Sequence, residues 1–183
     1  MKDLPDDPTA SRMLLGAHKF VRLPLQNKRP ILNSGLGHCG FACVSQALLG
    51  TEELIFELRL RSAVYLISKW QEVLHVAQIH DWHGSATGLS LEEEINACLN
   101  GWANPYSFYA MSKVLQCPIY IWQPKVVDGE IVQFCQARSA TFNPEAPIKR
   151  GIDILRTNSD GYVFSFDHYC LLVNKAPTVV EIP

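Results

Sequence analysis

The chain has 183 residues, with 16 basic against 18 acidic side chains and a net charge of −2. That length suits one domain, able to bury roughly 70% of the surface its unfolded form would expose. The balanced charge disfavours a nucleic-acid backbone or an anionic membrane surface as partner, and no apolar run reaches the ~20 residues needed to span a bilayer.

Met1 to Gly16 lacks the basic start and apolar stretch of a signal peptide, so the expected location is intracellular, cytoplasmic or nuclear. Six cysteines, at positions 39, 43, 98, 117, 135 and 170, form no Cys-x-x-Cys pair. They read as reduced thiols, most of them acting as small buried hydrophobes.

Taken in chain order, residues 1–30 carry four prolines, several charges and only short apolar stretches such as Met13-Leu14-Leu15, which predicts an extended arm or strand packed on the domain. Residues 31–175 form the domain proper, and 176–183 a C-terminal tail. Phe41, Val44 and Leu48 have helical spacing, and Gly50 stands where a left-handed residue usually ends a helix. Thr51 then reads as the cap of a long helix to about Ile79, with Leu54, Leu58 and Tyr65 inward. His80 to Gly88 reads as a surface loop. His80, Asp81 and His83 lack the matched cysteines or second histidine pair of a metal site, so no metal and no cofactor are expected.

Ser90 followed by Glu93 is a capping-box pattern, predicting a helix over Leu91–Asn100 with Gly101 beyond its end. Asn104 and Pro105 restart a helix as cap and first residue, with Phe108, Met111, Ser112 and Leu115 inward. Trp102, Phe108 and Met111 are read as core. After Gln116 the period changes to two, giving strands over Pro118–Trp122, Glu130–Cys135, Ile152–Leu155, Tyr162–Phe166 and Tyr169–Val173. Asp128-Gly129 and Asp160-Gly161 are turn dipeptides. The fold class is α+β with a mostly antiparallel sheet.

One segment carries chemistry. Gly35-Leu36-Gly37-His38-Cys39-Gly40-Phe41 delivers a cysteine to the start of an apolar helix, where unpaired amides favour a thiolate. Far downstream, Asp167-His168-Tyr169 offers a histidine on a strand. Brought together by the fold, Cys39 and His168 would be the nucleophile and base of a papain-like thiol hydrolase.

This order resembles the ovarian tumour (OTU) family of deubiquitinating cysteine proteases. That family's nucleophile segment, roughly Asp-Gly-Asn-Cys-Leu-Phe-Arg-Ala, aligns with Leu36, Gly37, His38, Cys39, Gly40, Phe41, Ala42 and Cys43. Its middle motif is echoed by Trp102, Ala103, Asn104, Ser107, Phe108, Ala110 and Leu115 to Ile119, and its His-Tyr by His168-Tyr169. A fainter likeness over Tyr109 to Tyr120 is to the N-terminal region of vertnin, a vertebrate protein.

The OTU resemblance implies cleavage of the isopeptide bond after ubiquitin's C-terminal glycine, with ubiquitin or polyubiquitin as partner. Cys39 would attack, His168 would serve as base and then acid, and backbone amides of Gly37, His38 and Cys39 would hold the oxyanion. The family's third, orienting group is an acid three residues before the cysteine or an Asp or Asn two after the histidine. Leu36 and Cys170 stand there instead. The third residue is therefore unassigned, with Asn33, Asp153 and Asn174 as conceivable replacements and a dyad as the other option. Two alternatives accompany this reading: an inactive OTU-like module that binds ubiquitin or another protein, and a polyprotein-processing cysteine protease. The acidic run Glu92, Glu93 and Glu94 could meet the arginines of ubiquitin's tail or simply be a solvated helix face.

Overall fold

A computed structural model describes residues 4–16, 25–35, 37–80, 82, 90–128, 130–136, 151–157 and 168–175. Among the described residues, five helices and five strands follow the order α1 (Pro8–Gly16), β1 (Lys28–Ile31), α2 (Cys39–Leu49), α3 (Ile55–Ile79), α4 (Leu91–Asn100), α5 (Pro105–Leu115), β2 (Ile119–Val127), β3 (Glu130–Gln136), β4 (Ile152–Thr157) and β5 (His168–Asn174). The α+β expectation holds. The sheet runs β1-β5-β4-β2-β3, antiparallel except where β2 lies parallel to β4.

Local chemistry explains the helix boundaries. Ser90 accepts the Glu93 amide while the Glu93 carboxylate accepts the Ser90 amide, which is the reciprocal box the sequence predicts. Asn104 caps α5 through the Ser107 amide, with Pro105 at its first turn. Gly50 closes α2 at φ 77°. Two expectations are corrected. Thr51 is no cap: α3 begins after Leu54, without a side-chain cap, and Thr51 instead offers its carbonyl to Ser45 Oγ. Within residues 1–30, the stretch Pro8–Gly16 is a helix, because Asp7 and Pro8 supply a cap and a preset first residue. The predicted strand Tyr162–Phe166, the Asp160-Gly161 turn, Gly129 and residues 83–88 lie outside the described residues.

Each face of the sheet has its own apolar layer, and alternation along β5 decides which residue joins which. Leu171 packs with Ile31, Ile119, Ile121, Ile152 and Ile154 against Phe41, Val44, Leu66, Phe108 and Met111 of the helical layer. Cys170 and Leu172 face the other way, joining Leu155 against Ala10 and Leu14 of α1. His168 shares the parity of Cys170. The sheet therefore turns the start of β5 toward α1, whose capping residue is Asp7. Among the described residues no helix is long and apolar enough to cross a membrane.

Candidate active site

Gly35 and Gly37 both adopt left-handed φ, 71° and 77°, which only glycine does without strain. The His38 amide donates to the Gly35 carbonyl at 2.8 Å, closing the turn, and Cys39 is the first residue of α2. His38 makes no side-chain cap, so the opening amides of α2 are not masked by its side chain at the point where Cys39 projects. Gly40 is required for packing: a Cβ there would lie 2.4 Å from Ala103 Cβ and 3.0 Å from Phe108 Cζ. Gly40→Ala is expected to cost about 1–3 kcal/mol of overpacking, read as a lowered denaturant midpoint, and to displace Cys39 with the start of α2.

The fold brings His168 to the nucleophile turn: a Cβ at Gly35 would stand 4.0 Å from His168 Cε1, and the imidazole interacts with the Cys39 thiol. On its other side, His168 Nε2 stands 3.6 Å from Asp7 Oδ2. Burial alone would lower the imidazole pKa, but the hydrogen bonds and charges of Asp7 and Cys39 reverse the sign and lift it to about 9. The ring is thus an imidazolium at neutral pH.

Asp7 divides its two oxygens between structure and site. Oδ1 accepts the Thr9 and Ala10 amides at 2.9 and 2.8 Å, capping α1. Oδ2 faces His168 and accepts Cys170 Sγ at 3.3 Å. Burial raises the carboxyl, yet the bonds from His168, Ala10 and Cys170 outweigh it and hold the pKa at about 2. The arm is pinned beside β1 by Asp7 N–H to Pro30 carbonyl (3.0 Å) and Leu32 N–H to Pro5 carbonyl (2.9 Å).

None of the three replacement residues named from the sequence orients His168. Asn33 Oδ1 accepts the Gly35 amide and its Nδ2 donates to the Tyr169 carbonyl at 2.7 Å, tying the turn to β5. Asp153 is occupied by Lys28 and the Trp122 indole, each within 3.0 Å. Asn174 stands at the opposite end of β5, paired with Lys28. Cys170 does point to the orienting position, but as a donor to the acid; burial pushes its thiol far up, so it stays protonated. Asp167 and Leu36 lie outside the described residues. The His38 amide, expected among the oxyanion donors, is spent on Gly35.

Trp102 is no core residue: it is 52% exposed, with its indole nitrogen 3.8 Å from where a Gly37 Cβ would stand. Phe108 and Met111 are buried as expected. Cys39 itself keeps only 2% of its surface. The acidic run is split, since Glu94 is fully buried and held by Asn104 Nδ2 at 2.8 Å, with its pKa raised by burial. Among the described residues, Asp7, His168 and Cys170 form the one trio of ligand-type atoms within 4.8 Å, and the bonds just described already use all three.

No protein-family model matches the chain, and no curated protein does. Solved structures do. The OTU domain of OTUD1 superposes with TM-score 0.59 at 18% identity, covering 90% of this chain and 93% of that one. The viral OTU domain protease from Dera Ghazi Khan virus gives 0.56 at 15%, covering 80% and 81%, and that from Qalyub virus 0.53 at 17%, covering 84% and 97%. The chain has a divergent OTU-like fold.

Proposed function

We propose that the chain is a cysteine-type deubiquitinase that hydrolyses the bond after ubiquitin's C-terminal glycine. The observation carrying this reading is that Cys39, His168 and Asp7, from three separate parts of the chain, come together, with the His168 imidazole interacting with the Cys39 thiol on one side and standing 3.6 Å from Asp7 Oδ2 on the other. Cysteine at a helix start, imidazolium beside it and a carboxylate behind it is the constellation of an activated thiolate.

The Cys39 thiolate attacks the glycine carbonyl, forming the S–C bond and placing negative charge on the carbonyl oxygen. The Cys39 amide at the start of α2 and the Gly37 amide stabilise that oxyanion. His168 gives its proton to the departing lysine amine as the C–N bond breaks, then takes a proton from water as hydroxide displaces the sulfur. Asp7 holds the ring orientation and its charged form throughout. Trp102, exposed beside Gly37, walls the approach and favours a tail without side chains, as two glycines provide.

The second reading is an inactive binding module, and the burial of Cys39 supports it, because a nucleophile must be reached. Incubation with ubiquitin bearing a C-terminal electrophile separates the two. A covalent adduct mapped by mass spectrometry to Cys39 is expected; retention of ubiquitin without an adduct would replace the enzyme by the module.

A further inference from the structure

Arg59 of α3 is 4% exposed, and among the described residues no carboxylate pairs with it. Every acceptor it has is neutral. Nη1 donates to the Cys98 carbonyl at 2.6 Å, and Nη2 meets the Gly101 carbonyl at 2.8 Å, the Gly37 carbonyl at 3.2 Å and His38 Nδ1 at 2.7 Å. The guanidinium carbon lies 4.4 Å from the centre of the Phe41 ring, and Nε is buried without a partner.

Burying a cation without a counter-anion is costly, so such a group stands out in a stable core. Burial does lower the Arg59 pKa, and the groups that push it back up are the thiols of Cys98 and Cys39. Two of its acceptors, the Gly37 carbonyl and His38 Nδ1, belong to the two residues immediately before Cys39, so the guanidinium is held against the candidate site. Guanidinium only donates, so the 2.7 Å contact makes Nδ1 of His38 an acceptor and puts the ring proton on Nε2. The bond to the Gly37 carbonyl sets the plane of the Gly37–His38 peptide, immediately before the nucleophile.

We propose that Arg59 is a positioning residue for acyl transfer, fixing the Gly37–His38 turn and the His38 ring while supplying the positive charge that the developing oxyanion lacks. This rests on the thiol-hydrolase reading above. The charge is worth most when negative charge forms on the substrate, so its effect falls on turnover more than on binding.

The test compares the native chain with Arg59→Lys, Arg59→Met and His38→Ala. Thermal unfolding, kcat and KM on ubiquitin carrying a C-terminal fluorogenic amide, and the iodoacetamide alkylation rate of Cys39 at pH 7 are measured for each. Arg59→Lys keeps a charge but not the fork and is expected to lower kcat about tenfold with KM within twofold. Arg59→Met should lower kcat further and slow Cys39 alkylation severalfold. His38→Ala, at a half-buried position, should unfold as the native chain does and lose kcat severalfold. Folded Arg59 variants with native kcat, or with only KM raised, would overturn the proposal. If both Arg59 variants fail to fold, the kcat of His38→Ala decides. If the native chain cleaves no ubiquitin amide, the deubiquitinase reading fails on its own; unchanged alkylation in folded Arg59→Met would then overturn the role of Arg59, and slower alkylation would sustain it.

Discussion

Cys39→Ala is expected to abolish both hydrolysis of a ubiquitin amide and capture by the electrophilic probe, and His168→Ala to lower kcat by at least about 10⁴-fold, since triad members act as a unit whose loss leaves only binding and oxyanion stabilisation. Neither change should unfold the protein, because only the Cys39 sulfur or the His168 ring at the start of β5 is removed while the apolar layers on both faces of the sheet stay intact. Thermal unfolding should show Cys39→Ala melting close to the native chain and His168→Ala still folded but melting lower, since Asp7 loses its cationic partner. No neighbour can take over from Cys39. Cys43, one turn along α2, is fully buried, and burial together with the Cys39 charge pushes its thiol well up. Cys170 is likewise raised, and Cys98 is raised to about 11 by burial. An adduct surviving Cys39→Ala would therefore place the nucleophile outside this site and overturn the mechanism.

What could be read in the sequence follows from how local each signal is. The Ser90/Glu93 box and Asn104-Pro105 identify α4 and α5 because capping is settled within one turn. Asp7-Pro8 is the same cap-then-proline signature as Asn104-Pro105, and it would have announced α1. Three other prolines nearby made the segment read as an arm instead. The candidate nucleophile Cys39 stood out in the sequence because two glycines and a helix start surround it. The carboxylate beside His168 was not legible, since Asp7 meets His168 only after β1 pairs with β5 and α1 lies over the Cys170 face. Arg59 was invisible for a related reason: on a helix rich in charge it looks like one more solvated side chain until the fold turns it inward. Trp102 erred the other way, because an aromatic beside an apolar motif reads as core whether or not a neighbour covers it.

Asp7→Asn is expected to lower kcat about 10²- to 10⁴-fold, the range in which loss of an orienting carboxylate costs rate by releasing the wrong tautomer. Asparagine caps helices as well as aspartate does, so α1 should persist and the loss can be assigned to Oδ2. That atom now faces two donors, His168 Nε2–H and Cys170 S–H, and an amide nitrogen in its place would face them with a third. The pH dependence adds a second readout. His168, raised from 6.5 to about 9, contributes stability fully present below pH 6.5 and lost as pH rises through about 9. Asp7, lowered from 3.8 to about 2, contributes stability present above about pH 3.8 and lost as pH falls toward 2. The stability gap between native chain and variant should thus be widest between about pH 4 and 6.5 and narrow toward pH 9. In the variant His168 loses the charge that holds its proton, so the alkaline limb of the kcat profile should move to lower pH. A profile that keeps its alkaline limb, with kcat near native, would show that the imidazole needs no carboxylate and that Cys39 and His168 work as a dyad.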